Sequence, residues 1–546
     1  MLHIYQSESL KNLTGKFSEK ITESKKGNPF SRHWVVVQNK EVRQWISLEL
    51  ASASQISANI EFVLPSELMW KLYRSFKPET PKVLPTDRLP LQWRIFELLQ
   101  KSDEEELRKI KRFPLVSDRN QQFQLAGQIA DVFDLYQVYR PEMLNAWKEG
   151  KVLTNDPDEF WQLWLWRKLS SHRRSGIPSR SEAFSELIDF LMNDNEMEGA
   201  PPEHLLVFGL SHFSTPFSEL IKVLSRRMEV HFFIQNWEAK HDDIFSTHWN
   251  TISEDWGSLK KESAEKFSSS EKTVFTSGSS VFKKLSSNSK TNDFLQIHSC
   301  HNPRREIEVL KDEVLRLMDA NKDLKPEDVC IMVPDMSEYA SLVKSIFSFN
   351  EGEPALPVYA PVSYTDEIKL TLIELFELIS ASPKAGTFID FIELSYISKR
   401  FDFSEDDLSF IRTSIREQHI HHGLEVEDSA FSLEKLLLSL NSGYITEPAS
   451  FELLNGVVPA EGLNGSDLFD LTTRLSFCIE ILIEIRREIK DEKRPQEWLG
   501  QIIGWLNKLS VESNSRLILT LERLMDVCIA ADSNQKVGFD LMKKWL

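Results

Sequence analysis

The sequence predicts an α/β fold of the nucleotide-handling type, interrupted by large all-helical insertions, and three observations predict it. Two segments each read as strand–helix–strand. The first runs from His204-Leu205-Leu206-Val207-Phe208-Gly209 to Val230-His231-Phe232-Phe233-Ile234, and the second from Leu295-Gln296-Ile297 to Val329-Cys330-Ile331-Met332-Val333. Between and after these units, apolar residues recur at helical rather than strand spacing. Finally, open α/β sheets bind ligands at the carboxyl ends of their strands, where a nucleotide hydrolase carries a Gly-rich loop and acidic magnesium ligands. The sequence has the layout and lacks both of these.

The 546 residues exceed what one core can organise, and three or four domains are expected. An apolar fraction of 41% and a charged fraction of 27% are those of a soluble globular protein. No run reaches the roughly 18 apolar residues of a membrane span, so no membrane partner is expected. Met1-Leu2-His3-Ile4-Tyr5 has no basic stretch leading into an apolar one, and no signal peptide is expected. Cys300, Cys330, Cys478 and Cys528 form no CxxC pair, which fits a reducing cytoplasm and argues against a zinc site or iron–sulfur cluster. A net charge of −18 opposes indiscriminate nucleic-acid binding but leaves room for a locally basic channel.

In chain order, residues 1–64 read as two short strands with a helix between them and another after. Trp34-Val35-Val36-Val37 is a continuous apolar run, as in a strand buried on both faces, and Val42, Trp45, Ile46 and Leu50 follow at helical spacing. Residues 65–201 read as helical. Leu125, Ile129, Val132, Phe133 and Tyr136 form one apolar stripe; Trp161, Trp164, Leu165 and Leu169 form another, read as core. Strand-like segments bracket this block, so it is an insertion into a first α/β domain comprising 1–64 plus 202–257. In that domain Thr215 is the expected N-cap, Pro216 opens the helix, and Phe217, Leu220, Ile221, Leu224 and Met228 share one face.

Residues 258–293, rich in serine and lysine, read as a linker. A second α/β domain starts over 294–364. Its helix carries Ile307, Leu310, Val314 and Leu317, and Asp335 with Glu338 resembles a capping box. Residues 365–546 read as a second helical insertion. Three strands are few for a doubly wound sheet, so the chain is expected to be truncated, with the remaining strands supplied by sequence beyond it.

The local motifs argue for no catalysis on this chain. Gly15-Lys16 invites a phosphate-loop reading, but Leu10 and Phe17 stand where the loop needs its first Gly and its Ser or Thr. Gly209-Leu210-Ser211 half-resembles a nucleophile elbow, yet Phe213 replaces the second Gly. His419, His421 and His422 form a histidine cluster without a matching carboxylate and read as a solvated helix end, so no metal is expected. Asp131 and Asp134 lie on similar sides of a predicted helix and read as solvated acids beside an apolar stripe.

Several stretches, taken in order, resemble one family. They are His33-Trp34-Val35-Val36-Val37-Gln38 with Gln44-Trp45; Asn59-Ile60-Glu61-Phe62-Val63-Leu64-Pro65 with Trp70; and Ala130-Asp131-Val132-Phe133-Asp134-Leu135-Tyr136 through Tyr139-Arg140-Pro141. His298-Ser299-Cys300-His301-Asn302-Pro303-Arg304-Arg305-Glu306 and Arg400-Phe401-Asp402-Phe403 follow. The set resembles the gamma chain of exodeoxyribonuclease V, the RecC family, over nearly the whole sequence. The resemblance implies two degenerate superfamily 1 helicase-like (RecA-like) domains with helical insertions. It further implies a non-catalytic scaffold that holds RecB-like and RecD-like motor subunits, which use the ATP and magnesium. Such a subunit guides separated DNA strands in double-strand break repair by recombination, and reads a hotspot sequence in the single strand.

The same resemblance points to the reading residues. Gln38 and Gln44 could pair with adenine, Arg140 and Arg180 with guanine, and Asp131 and Asp134 could accept from cytosine. Trp70 offers a stacking face and Leu64 an apolar wall. Lys40 stands where the family's best-known member carries Thr, and Val132 where it carries Leu, so the sequence read should differ or recognition be lost. Two rivals are an active helicase–nuclease chain of the AddB kind and a helical interaction protein without a DNA role. The first should carry a P-loop and an iron–sulfur cysteine set, and neither occurs here.

Overall fold

The computed structural model describes residues 1–7, 10–25, 32–54, 58–101, 118–154, 156–171, 177–193, 204–210, 214–235, 273–274, 296–348, 356–359, 367–380, 383–425, 431–445, 458–459, 465–509 and 516–546. Most of the expected linker, together with Ser211, Phe213 and Leu295, lies outside them. The chain forms two compact units. The first comprises 1–281, 489–504 and 518–546; the second comprises 282–488 and 505–517.

The first unit is built on six parallel strands: β1 (Leu2–Ser7), β2 (His33–Val37), β3 (Ile60–Val63), β4 (His204–Phe208), β5 (Glu229–Gln235) and β6 (Thr273–Val274). Their order is β3-β2-β4-β5-β1-β6. Residues 1–64 therefore hold three strands rather than the expected two. The signal is weak in two of them: β3 is short and half-exposed at the sheet edge, and β1 alternates instead of running continuously apolar.

Helices α1 (Leu10–Lys25) and α2 (Lys40–Ser54) cover one face, where Leu13, Phe17, Ile21, Ile46 and Leu50 meet Val35, Val37, Leu206, Phe208 and Phe233. On the other face lie α3 (Pro65–Phe76) and, further along the chain, two helices described below. Parallel strands covered on both sides need unbroken apolar runs, and β2, β4 and β5 supply them.

Between β3 and β4 the helical insertion comprises α4 (Arg88–Lys101), α5 (Arg119–Tyr139), α6 (Pro141–Lys148), α7 (Glu159–Ser171) and α8 (Arg180–Met192). The buried stripe of α5 is Phe123, Ala126, Ile129, Ala130, Phe133 and Gln137, so Val132 turns outward and Leu125 is only half-buried. The sequence stripe was displaced because Ala126 and Ala130, to which hydropathy gives little weight, are both fully buried. In α7 it is Trp166, with Leu165 and Leu169, that is buried, while Trp161 and Trp164 are half-buried.

Helix α9 (Thr215–Arg227) completes the second face with α3 and α8. All five expected apolar residues of this segment are buried. Its N-cap is Ser214, whose hydroxyl accepts from Phe217 N–H at 3.4 Å, not Thr215; Pro216 then falls within the first turn.

In the second unit, α10 (Pro303–Ala320) is capped by Asn302, which accepts from Arg305 N–H at 2.8 Å. It packs on α11 (Met336–Phe347) through Ile307, Val343 and Phe347. The expected second sheet is not formed among the described residues. Val329–Val333 is extended without a ladder: Ile331 packs on the helices, while Met332 is 90% exposed and Ile297 89%. Apolar composition marked these segments as strands, but a strand needs a neighbour to pair its backbone.

Helices α12 (Glu367–Leu378), α13 (Ala385–Glu393), α14 (Ser395–Arg400), α15 (Glu405–Glu417), α16 (Leu433–Ile445) and α17 (Gly465–Glu488) follow. The Arg400–Phe403 motif is a turn: Asp402 is left-handed at φ 53°, its carbonyl accepts from Arg474, and Phe401 and Phe403 are buried. The chain closes with α18 (Pro495–Lys508), α19 (Arg516–Ala531) and α20 (Phe539–Trp545). Residues 489–504 and 518–546 pack within the first unit. There Trp545 meets Trp93 edge-on at 5.1 Å, and Arg119 reaches Glu492 at 2.7 Å.

The turn between α6 and α7 depends on Glu159, only 4% exposed. Its carboxylate accepts from Trp147 Nε1, Leu153 N–H and Thr154 N–H, each at 2.7 Å, and from Thr154 Oγ1 at 2.5 Å. Burial alone would push the carboxyl up, but these donors outweigh it and hold its pKa below the ordinary value. Replacing Glu159 with Ala strands these donors and should cost about 3 kcal/mol in urea unfolding at neutral pH. Because the folded pKa is the lower one, this stabilisation is complete above the unfolded carboxyl pKa of about 4.3 and fades as pH falls through the folded value. The gap between wild type and Glu159→Gln should narrow over that same acid range.

Candidate nucleic-acid interface

Parallel strands β2 and β3 end side by side, with Val36 opposite Val63, so the residues that follow them emerge at one edge of the sheet. After β2 the chain turns at once. Asn39 Oδ1 accepts from Val42 N–H at 2.9 Å and caps α2, leaving Gln38 and Lys40 exposed on either side of the cap. Gln44 is exposed half a turn beyond Val42, because Trp45 and Ile46 take the inward positions. Lys40 puts a cation at the positive end of a helix dipole, an arrangement that costs about 0.3–1 kcal/mol. Its placement favours an anion there, against the overall charge of −18.

After β3, Leu64 is extended at φ −82° and ψ 158°, as the residue before Pro65 must be, and α3 starts immediately. The Leu64 N–H donates to Glu67 Oε2 at 2.8 Å, which holds the strand-to-helix corner. Leu64 is half-buried at this corner. Trp70, also half-buried, packs edge-on against Tyr73 at 5.7 Å, with the Arg74 guanidinium 5.4 Å from its ring.

The remaining predicted readers sit on the helical insertion. Asp131 is paired with Arg88, and Asp134 with Arg180 at 3.3 Å; Arg180 also lies 3.6 Å from Asp87. These acids are thus not merely solvated, and Arg180 is shared between two carboxylates. Burial pushes the Asp87 carboxyl up, against the backbone hydrogen bond from Leu84 and the nearby Arg180 charge. Arg140 differs: it links α5 to α6, is exposed, lies 5.7 Å from the Tyr136 ring, and has no ion pair among the described residues. Val132 is 39% exposed on the outer face of α5. The two sets are joined through α3 and α8, where Tyr73 donates to Glu186 at 2.7 Å.

The sequence reading missed the cations that lie against aromatic residues of β2 and β3, of which Lys71 is also paired with Glu61. Lys71 Nζ lies 4.1 Å from the Trp34 ring, and Arg43 lies 5.7 Å from Phe62. The i, i+4 spacing of Trp70 and Arg74 was the available signal.

Among the described residues no phosphate loop is built. Only Glu8 and Ser9 separate β1 from α1, too few for the roughly eight positions such a loop needs. Gly15 and Lys16 lie inside α1, and Lys16 pairs with Glu19 at 2.6 Å. His419 and His421 have ring centroids 6.3 Å apart, and they do not converge on a metal position. The sequence showed no other histidine cluster, but among the described residues it is His204, Glu229 and His231 that bring ligand atoms within 4.8 Å of one another. Cys478 and Cys528 are buried, and burial pushes both thiols up, that of Cys528 to about 12.

The fold and this edge define a class: an α/β protein with a parallel sheet covered by helices on both faces and a large helical insertion. A family model described as RecC, N-terminal domain, matches residues 2–300, and one described as RecBCD enzyme subunit RecC fourth domain matches 365–546. The chain belongs to the RecC family. The RecBCD enzyme subunit RecC of Haemophilus influenzae is 23% identical over 96% of this chain and 55% of its own length. Its counterpart from Escherichia coli K12 is 23% identical over 93% and 53%, and that from Mycolicibacterium smegmatis 20% over 93% and 52%. The chain thus spans about half the length of the curated relatives it matches.

Two outcomes follow from this geometry. A Cβ added to Gly15 would meet nothing within 4 Å, so Gly15→Ala should stabilise the protein by up to about 1 kcal/mol in thermal unfolding, whereas a phosphate-cradling glycine would not tolerate it. Arg180→Ala leaves Asp87 and Asp134 facing each other and should cost about 1–3 kcal/mol. Adding Asp134→Asn should recover part of that loss, as a double-mutant cycle would measure.

Proposed function

We propose that this chain is a non-catalytic scaffold and DNA-channel subunit of a RecBCD-type helicase–nuclease, exodeoxyribonuclease V, acting in double-strand break repair by homologous recombination. The observation that carries the reading is the junction of β1 and α1, where two residues replace a phosphate loop on a nucleotide-type sheet. In this reading ATP and magnesium belong to RecB-like and RecD-like motor partners in a bacterial cytoplasm. The names of the relatives support the assembly, and no described helix is long and apolar enough to cross a membrane.

The carboxyl edge of β2 and β3 would line the path of the single strand. Gln38 and Gln44 would read base edges, Lys40 would meet a phosphate, Trp70 would stack on a base and Leu64 would wall the channel. Arg140 is the better candidate for a base contact than Arg180, whose guanidinium already serves two acids. Asp131, Val132 and Asp134 would act mainly by shaping the wall that presents it. The first unit is read as one RecA-like domain with its insertion. The unpaired segments of the second unit, exposing Ile297 and Met332, are read as part of a second one whose other strands come from elsewhere in a longer polypeptide.

Purified alone, the chain should hydrolyse no ATP, with or without DNA; saturable DNA-stimulated hydrolysis would overturn the reading. Assembled with motor subunits, Gln44→Ala and Trp70→Ala should each weaken single-strand crosslinking and hotspot response about tenfold, while duplex unwinding continues. Unchanged crosslinking in both variants would remove this edge from the channel.

A further inference from the structure

We propose that His204, Glu229 and His231 form a zinc-type divalent-metal site at the amino ends of β4 and β5, on the sheet face covered by α1. The site is independent of the DNA-reading edge, which lies at the opposite ends of the strands.

The sheet register builds it. His204 is paired with Glu229, and Leu206 with His231, on adjacent parallel strands. Register partners, and residues two apart on one strand, share a face, so all three side chains project together. His204 Nδ1 lies 3.3 Å from Glu229 Oε2, and His231 Nε2 lies 3.5 Å from the same oxygen. A tetrahedral zinc with ligands at about 2.0–2.2 Å holds neighbouring donor atoms about 3.3–3.6 Å apart. Both carboxylate–imidazole spacings are therefore those of ligands around an ion, and all three donor atoms lie within 4.8 Å of one another.

A second observation agrees. His204 Nδ1 is buried and makes no hydrogen bond, although the carboxylate is within reach. An imidazole placed to donate to Glu229 would close that bond; one placed to share a cation would not. The surroundings then do what partners of metal ligands do. The Tyr5 hydroxyl lies 3.3 Å from His231 Nδ1 and directs Nε2 toward Glu229. His3, the register partner of His231 on β1, stacks on its ring at 4.8 Å and 13° and fixes the ring plane.

A cleft of about 200 Å³, lined by Lys20, Glu23, Leu206 and the three ligands, opens to solvent and leaves a fourth position for water. Lys20 faces this cleft, but its charge is engaged by Glu23 at 2.8 Å. Two imidazoles and one carboxylate select zinc or a similar transition metal over magnesium or calcium. Bound there, the ion would clamp β4 to β5.

The test uses the intact, untagged chain with Zn²⁺, and Co²⁺ as the spectroscopic probe. We expect a single equivalent of Zn²⁺ to be retained on dialysis and to raise the melting temperature. Bound Co²⁺ should give the intense visible absorption of a four-coordinate site. His204→Ala and Glu229→Ala, both at the rim of the cleft, should each weaken binding at least tenfold while melting normally without metal. Changing His419, His421 and His422 together to Ala should leave binding intact. Failure to retain Zn²⁺, retention by both rim variants, or loss in the triple variant would each overturn the site.

Discussion

Everything in the first unit hangs on one constraint: β2, β4 and β5 are sealed on both faces. Val35, Val36, Val37, Leu205, Leu206, Val207, Phe208 and Val230 are each no more than 2% exposed. Each fully buried apolar side chain contributes about 1.5–3 kcal/mol, so these strands cannot shift register without exposing a face. That fixed register sets the edge where Gln38 and Leu64 emerge. At the other end it brings His204, Glu229 and His231 together from two strands. Both arrangements of side chains follow from the same pairing.

The helical insertion is held to this sheet by the apolar face of α8, and polar contacts at a few points tie its helices to α3 and to one another. Tyr73 and Lys77 of the α3 segment both reach Glu186 of α8, and the hydrogen bond and nearby acids, added to burial, raise the Tyr73 hydroxyl pKa. Gln137, buried at 3%, donates to Thr86 O at 2.7 Å and accepts from Arg180 N–H at 3.4 Å. Contacts of this kind leave the apolar face to pack and let hydrogen-bond geometry fix the angle between α5 and α8. Asp134 and Arg180 therefore have a positioning duty whatever else they do. Their chemistry suits base recognition equally well, which is why residue type alone could not separate the two roles.

Fold class was legible because its signal is local. The apolar run of β2 and the stripe of α9 each specify their element within a dozen residues. What escaped was set by distant partners. The alternating β1 pairs with β5 more than two hundred residues away, and no window around Met1 carries that information. The stretch 329–333 has strand composition but no neighbouring strand among the described residues, so composition alone did not make it a ladder. Gln38, Gln44, Leu64 and Trp70 came from resemblance, and the structure adds what resemblance lacks: Asn39 as the cap that orients the first pair. The histidine cluster was invisible for the same reason as β1, since its members come together only through strand pairing.

The short junction between β1 and α1 has a structural consequence of its own. A nucleotide loop must keep its backbone amides free for a ligand, which leaves the end of the sheet open to water. Here α1 begins two residues after β1 and lays Leu13, Phe17 and Ile21 against the strands. Phe17 is fully buried, edge-on to Phe208 and Phe233 at 5.3 Å each. A helix whose start is committed to packing cannot also cradle a phosphate. The short junction thus gives α1 a packing contribution to stability that needs no ligand.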